Sequence, residues 1–132
     1  MRQYIFPPLA FAIAFLLLSG RTVDAQGDPA IDHAQHIFDL IREEKFAEVA
    51  QEFNAQVAAR LDADKLAQGW TLIKMQAGEF KSVSDKKVAM VGTAKAVTLV
   101  CKFERATLDT VVSFDADNKI AGLGFINPRP PD

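Results

Sequence analysis

His33 and His36 stand one helical turn apart, with Asp32 and Asp39 beside them, in the stretch IDHAQHIFDLI. Imidazole nitrogens and carboxylate oxygens at this spacing are the donor types of a divalent metal site, if a second element completes the set. On a helical wheel the set separates: Asp32, His36 and Asp39 share a solvated face with Glu43, and His33 lies nearer the apolar edge. A metal would still need ligands from elsewhere. The four are therefore read as a solvated face, and neither metal nor cofactor is expected.

The nucleophile candidates are equally sparse. Cys101 would react only as a thiolate beside a base or a positive charge. Its expected neighbours, Leu99, Phe103 and Thr110, make it a small buried hydrophobe instead. Ser82, Ser84 and Ser113 carry no G-x-S-x-G surroundings. An isomerase-type oxyanion site would use an inward acid, often with a tyrosine. The single tyrosine is Tyr4, and no inward strand position holds a carboxylate. No catalytic residue is assigned. What remains is a pocket: Trp70, Phe103, Thr110 and Phe114 would line a small apolar ligand site between the third helix and the sheet, unless those aromatics simply fill the core.

These residues must be positioned by a helical half and a stranded half. Asp28-Pro29 starts a helix, because Asp offers an acceptor to free amides and Pro is tolerated in the first turn. Ile31, Ala34, Ile37, Phe38 and Ile41 follow at helical spacing. A second stripe runs through Phe46, Val49, Ala50, Phe53, Val57 and Leu61, after a break near Glu44-Lys45. Asp62 caps a third helix with the stripe Leu66, Gly69, Trp70, Ile73 and Ala77, closed by Gly78. Beyond Gly78 the period changes to that of strands. Phe80 to Met90 is extended, with a bulge or bend at Ser84-Lys87, and Gly92-Thr93 is a turn. Ala96–Phe103, Thr107–Phe114 and Lys119–Phe125 then complete the sheet.

Four-residue loops at Phe103/Leu108 and Phe114/Lys119 would put Val97, Leu99, Cys101, Phe103, Leu108, Thr110, Val112, Phe114, Ala121, Leu123 and Phe125 on one apolar face. In that register Lys102 opposes Asp109 across the ladder. The outer face then holds Val100, Val111, Ile120, Gly122 and Gly124, a partly apolar surface suited to a homodimer. The fold class expected is α+β: three N-terminal helices on one face of a curved four-stranded antiparallel sheet.

The chain as a whole limits the partners. Its 132 residues are 49% hydrophobic and 24% charged, which suits one globular domain. A short basic start, an apolar run from Tyr4 to Leu18 and Val23-Asp24-Ala25 read as a signal peptide, residues 1–25, cleaved after Ala25. The run falls short of the roughly 20 residues a spanning helix needs, so no membrane span is expected after cleavage. The 15 basic and 17 acidic residues lose Arg2, Arg21 and Asp24 with it, leaving 13 and 16. There is no basic stripe with interleaved aromatics, so nucleic acid is not an expected partner. One domain spans 26–126, and Asn127-Pro128-Arg129-Pro130-Pro131 begins a tail, 127–132, that Pro should keep out of any ladder.

Leu66-x3-Trp70-x7-Gly78-x-Phe80 and Val112-x-Phe114-Asp115-x-Asp117-Asn118-Lys119-Ile120-Ala121-Gly122-Leu123 resemble the bacterial domain-of-unknown-function family 3887. The resemblance runs from about Ile31 to Phe125. It implies an α+β cone of the nuclear-transport-factor-2-like, or ketosteroid-isomerase-like, kind. It brings no catalytic residue, and it also implies an association with α/β-hydrolase domains, to which the family is found fused. The expected function is an exported, secreted or periplasmic, non-enzymatic module that binds a small apolar ligand or a partner protein, with a homodimer as its assembly. The alternative is a small-molecule enzyme, isomerase- or hydrolase-like, using the cone pocket; the third is a detached accessory domain of a separately encoded hydrolase.

Overall fold

A computed structural model describes residues 27–131; the expected signal peptide lies outside them. Among the described residues the fold is α+β, with several helices followed by one four-stranded antiparallel sheet in the order β1-β2-β3-β4. Helix α1, Pro29–Arg42, starts where its cap residue dictates: the Asp28 side chain accepts from Ala30 N at 2.9 Å, and Pro29 fills the first turn. Its apolar stripe, including Ile31, Ile37, Phe38 and Ile41, is buried. The chain reverses at Glu44, which takes a left-handed φ of 61°.

The expected second helix is two short ones, α2 at Phe46–Ala50 and α3 at Ala55–Ala58. Between them Phe53 leaves helical geometry and pairs with Ile120. Ile120 N donates to Glu52 O at 2.7 Å and Asn54 N to Ile120 O at 2.9 Å. The Asn54 side chain then caps α3 by accepting from Val57 N. Apolar spacing could not reveal this break, since Phe53 and Val57 stay buried across it. Helix α4, Ala63–Ala77, opens on Asp62, which accepts from Lys65 N, and closes on Gly78 at φ 86°.

The strands are β1 Phe80–Val91, β2 Ala94–Phe103, β3 Thr107–Phe114 and β4 Ile120–Arg129. A bulge at Ser84 bends β1 where the polar interruption predicts it, and Gly92 opens the β1–β2 turn at φ 64°. The other two loops are shorter than expected. Phe103 N donates to Ala106 O at 2.8 Å across a two-residue tip, Glu104-Arg105. Asp115 N donates to Lys119 O at 2.9 Å across three residues, with Asn118 left-handed at φ 62°.

Shortening a loop moves the pairing by an even number where the alternation is kept, so the faces survive while the partners change. Val97, Leu99, Cys101, Phe103, Leu108, Thr110, Val112 and Phe114 are all buried as expected. Lys102 and Asp109 do not oppose each other across the ladder. Lys102 faces Thr107, and Asp109 faces Val100 and Ile126, its carboxylate bound by Arg129 Nη2 at 3.0 Å and Asn127 Nδ2 at 3.2 Å. A register shift between Ser113 and Phe114 leaves Ala121 unpaired and turns Ile120 inward, where it is fully buried. Ile120 therefore leaves the outer-face group. β4 also runs on to Arg129, past Pro128. It is an edge strand with a second irregularity at this point, where a missing N–H removes nothing from the ladder.

Three aspartates tie these turns together. The Ala30 amide, with Lys95 assisting, holds the Asp28 carboxyl below the usual range; the Lys119 amide, with Asn54 and Asp117, does the same for Asp115. Burial works to raise Asp109, but Arg129 and Asn127 outweigh it and its pKa too is lowered. A carboxyl whose folded pKa lies below its unfolded value stabilises the fold above that unfolded value. The benefit is lost as pH falls through the folded one. Urea midpoints should therefore hold steady above pH 5 and fall below about pH 4, and Asp28→Asn should flatten that fall. Midpoints unchanged down to about pH 2.5 would contradict these contacts.

Candidate functional site

Two of the cavities of ligand size among the described residues flank the core. The first lies where the start of α1 meets the β3–β4 loop. His33, on α1, brings Nε2 to 2.7 Å from Glu52 Oε1, on the α2–α3 connection. A carboxylate only accepts, so this nitrogen carries the hydrogen. The imidazole lies nearly parallel on the ring of Phe114, with centroids 4.3 Å apart. Both border a cavity of about 520 Å³, which Asp28, Lys95, Met90 and Asp115 also line. Its charges are answered from within the protein. Lys95 Nζ sits 3.1 Å from Asp28 Oδ2, and Asp115 accepts from the amides of Asp117 and Lys119 and from Asn54 Nδ2.

The second cavity, about 410 Å³, opens between α4 and the β3–β4 pair. Ile73 and Ala77 of α4, Ala106 and Leu108, and Phe125 and Pro128 of β4 form its walls, with Gln76 the one other side chain. Among the described residues, no charged one lines it.

The four expected pocket residues are core residues first. Trp70, Phe103, Thr110 and Phe114 are each 3% exposed or less. Trp70 packs edge-on to Phe38 and tilted on Phe103 and Phe125. Phe114 reaches the first cavity beneath His33, and Trp70 adjoins the second through Phe125. Phe103 and Thr110 line neither. Of the outer-face group, Val100, Val111, Gly122 and Gly124 are half-buried on the side away from the helices.

The helix-face donors do not converge. His36 and Asp32 are exposed, and Asp39 bonds Arg42 and Gln35 along its own helix. Among the described residues no group of three or more His, Cys, Asp or Glu side chains is placed to hold a metal. Cys101 is fully buried, its sulfur 3.4 Å from Thr110 Oγ1, and burial pushes its thiol pKa up, away from the reactive thiolate. The His33–Glu52 pair is what the sequence reading missed. Its one signal was the place of His33 at the apolar edge; Glu52 reaches it only because the helix breaks at Phe53.

Among the described residues, no helix is long and apolar enough to cross a membrane. A family model described as a protein of unknown function (DUF3887) matches residues 34–123, from the first half of α1 into β4. Esterase EstD of Thermotoga maritima is 26% identical over 82 residues, which cover 62% of this chain and 20% of EstD. The match thus spans about a fifth of that curated relative's length. No solved structure matches the chain.

Proposed function

The chain belongs to the DUF3887 family, and from that footing we propose that it is an exported, non-enzymatic module that binds a small apolar molecule in the cavity between α4 and the β3–β4 pair. One observation carries this reading: a space within the size range of small-molecule sites is walled by apolar side chains from both layers of the fold. The groups that would serve catalysis are already engaged, with Cys101 buried, Asp28 and Asp115 held by amides, and His33 tied to Glu52. Titration with the neutral dye N-phenyl-1-naphthylamine should give saturable NMR shift changes centred on Ile73, Ala106 and Phe125. Saturable binding that leaves those residues unmoved would reject the site.

The His33–Glu52 pair favours a second reading, in which the imidazole serves as general base for a substrate in the other cavity. A panel of p-nitrophenyl esters, lactones and enones separates the two. The expected result is no turnover above buffer. Turnover that His33→Ala abolishes would replace the first reading with the second.

Four elaborations belong to the same proposal. Export predicts that the chain made from its full-length gene in a secreting bacterium has an intact mass beginning at Gln26; a mature protein that still carries residues 1–25 would remove it. Likeness to a part of an esterase supports work beside a separately made hydrolase, which would then co-purify with esterase activity and does not if the module acts alone. The outer face supports a homodimer: a side chain at Gly122 would meet only Ser113 at ordinary contact distance, 3.6 Å. Gly122→Arg should accordingly give a folded monomer by light scattering, and an unchanged dimer rules out that face. The helices-then-sheet order also supports placement with the nuclear-transport-factor-2-like cones, which a crystal structure with a flat sheet would overturn.

A further inference from the structure

Two buried side-chain polar atoms among the described residues lack a hydrogen-bond partner: the indole Nε1 of Trp70 and the hydroxyl of Thr107. Buried donors are nearly always paired, so each one left over needs a reason. Thr107 lies opposite Lys102 on the outer side of the sheet, whereas Trp70 stands beside the α4 cavity, one helical turn before the lining residue Ile73. The indole packs on another wall residue, Phe125, at 5.9 Å between ring centroids. Its other ring neighbours, Phe38 and Phe103, are hydrocarbon and offer no acceptor oxygen or nitrogen in their side chains. An indole N–H can only donate, so what this group lacks is an acceptor. Phe125 is only half-buried, and it both lines the cavity and packs on the indole.

We propose that the α4 cavity takes a neutral, mainly apolar molecule bearing a carbonyl oxygen, and that this oxygen accepts from Trp70 Nε1 once the molecule has moved the Phe125 ring aside. The inference rests on the apolar-ligand reading above and adds the chemistry of the ligand. A carboxylate or an ammonium would shed its hydration without meeting an opposite charge, because no charged side chain among the described residues lines the walls. A plain hydrocarbon would fill the space but leave the N–H unanswered. A ketone, ester or lactone does both.

The chain contains a single tryptophan, so its indole N–H gives one NMR resonance. The mature chain, residues 26–132, labelled with ¹⁵N, is titrated with acetophenone and with α-methylstyrene, the same shape with CH2 in place of the oxygen. Acetophenone should move the indole N–H resonance downfield and, after correction for water partition, bind roughly tenfold more tightly than α-methylstyrene. In Trp70→Phe that preference should shrink to within about twofold. Equal affinities in the wild type, with the indole resonance unmoved, would overturn the carbonyl assignment and leave the apolar cavity standing. Failure of both molecules to shift Ile73, Ala106 and Phe125 would overturn the cavity reading, and this inference with it. If Trp70→Phe does not fold, the indole resonance of the wild type decides alone.

Discussion

Gly78→Ala is expected to destabilise the domain by about 3 kcal/mol, partly because it holds a backbone conformation open only to glycine, worth about 1–3 kcal/mol. Gly78 sits at φ 86°, ψ −158° where α4 ends and the chain turns into β1. The remainder is steric. An added Cβ would stand 2.6 Å from Glu104 Oε1 and 2.9 Å from Glu104 Cβ. The carboxylate can swing away, but only by giving up its bond from Glu79 N. Glu104 Cβ cannot, because it is carried on the two-residue β2–β3 tip, which is itself docked on the helix end. Arg105 N donates to Ala77 O at 2.8 Å and Arg105 Nη2 to Met75 O at 2.9 Å, satisfying carbonyls the helix cannot pair itself. At about 4–8 °C per kcal/mol for a domain of this size, thermal unfolding should move down by roughly 15 °C. A drop of less than about 5 °C would show that the tip yields freely and that this close approach contributes little.

Ile120→Asp should be worse, removing about 4 kcal/mol or more, because a carboxylate would replace a fully buried side chain and the buried residues among those described include no cation. Against a total of about 5–15 kcal/mol for ordinary domains, that leaves little folded margin. The side chain is inside only because Ala121 is looped out of the β3–β4 ladder, and the backbone of residue 120 is clamped between Glu52 O and Asn54 N. Ile120→Val is the control, expected to lose about 0.5–1.5 kcal/mol. Urea unfolding followed by circular dichroism separates the cases. An aspartate variant as stable as the wild type would mean that the hairpin re-registers, carrying residue 120 to the outer face that simple alternation assigns it.

These two positions mark how far the residues could be read without coordinates. Gly78 was legible because it follows a helical stripe and precedes a change of period, and both signals are local. The inward set from Val97 to Phe114 was legible because a strand repeats every two residues, and the shorter loops moved the pairing by an even step there. Lys102 and Asp109 illustrate the cost of that same symmetry: the faces come out correctly while the cross-strand partner is wrong. Ile120 failed because one unpaired residue inverts everything on its far side. Trp70 packs between helix and sheet, and whether its N–H finds an acceptor depends on residues as distant in the chain as Phe38 and Phe125.

The amino-acid sequence by itself determined the α+β class, the helix caps at Asp28, Asp62 and Gly78, and which face of β2 and β3 is apolar. Each follows from residues within a turn or two of one another, where period and side-chain chemistry act without reference to the rest of the chain. Tertiary structure alone decided the break at Phe53-Asn54, the inward turn of Ile120, the meeting of His33 with Glu52 and the two cavities. Those depend on separate segments arriving at one place, since a hydrogen bond or a gap between elements has no counterpart in the spacing of either one.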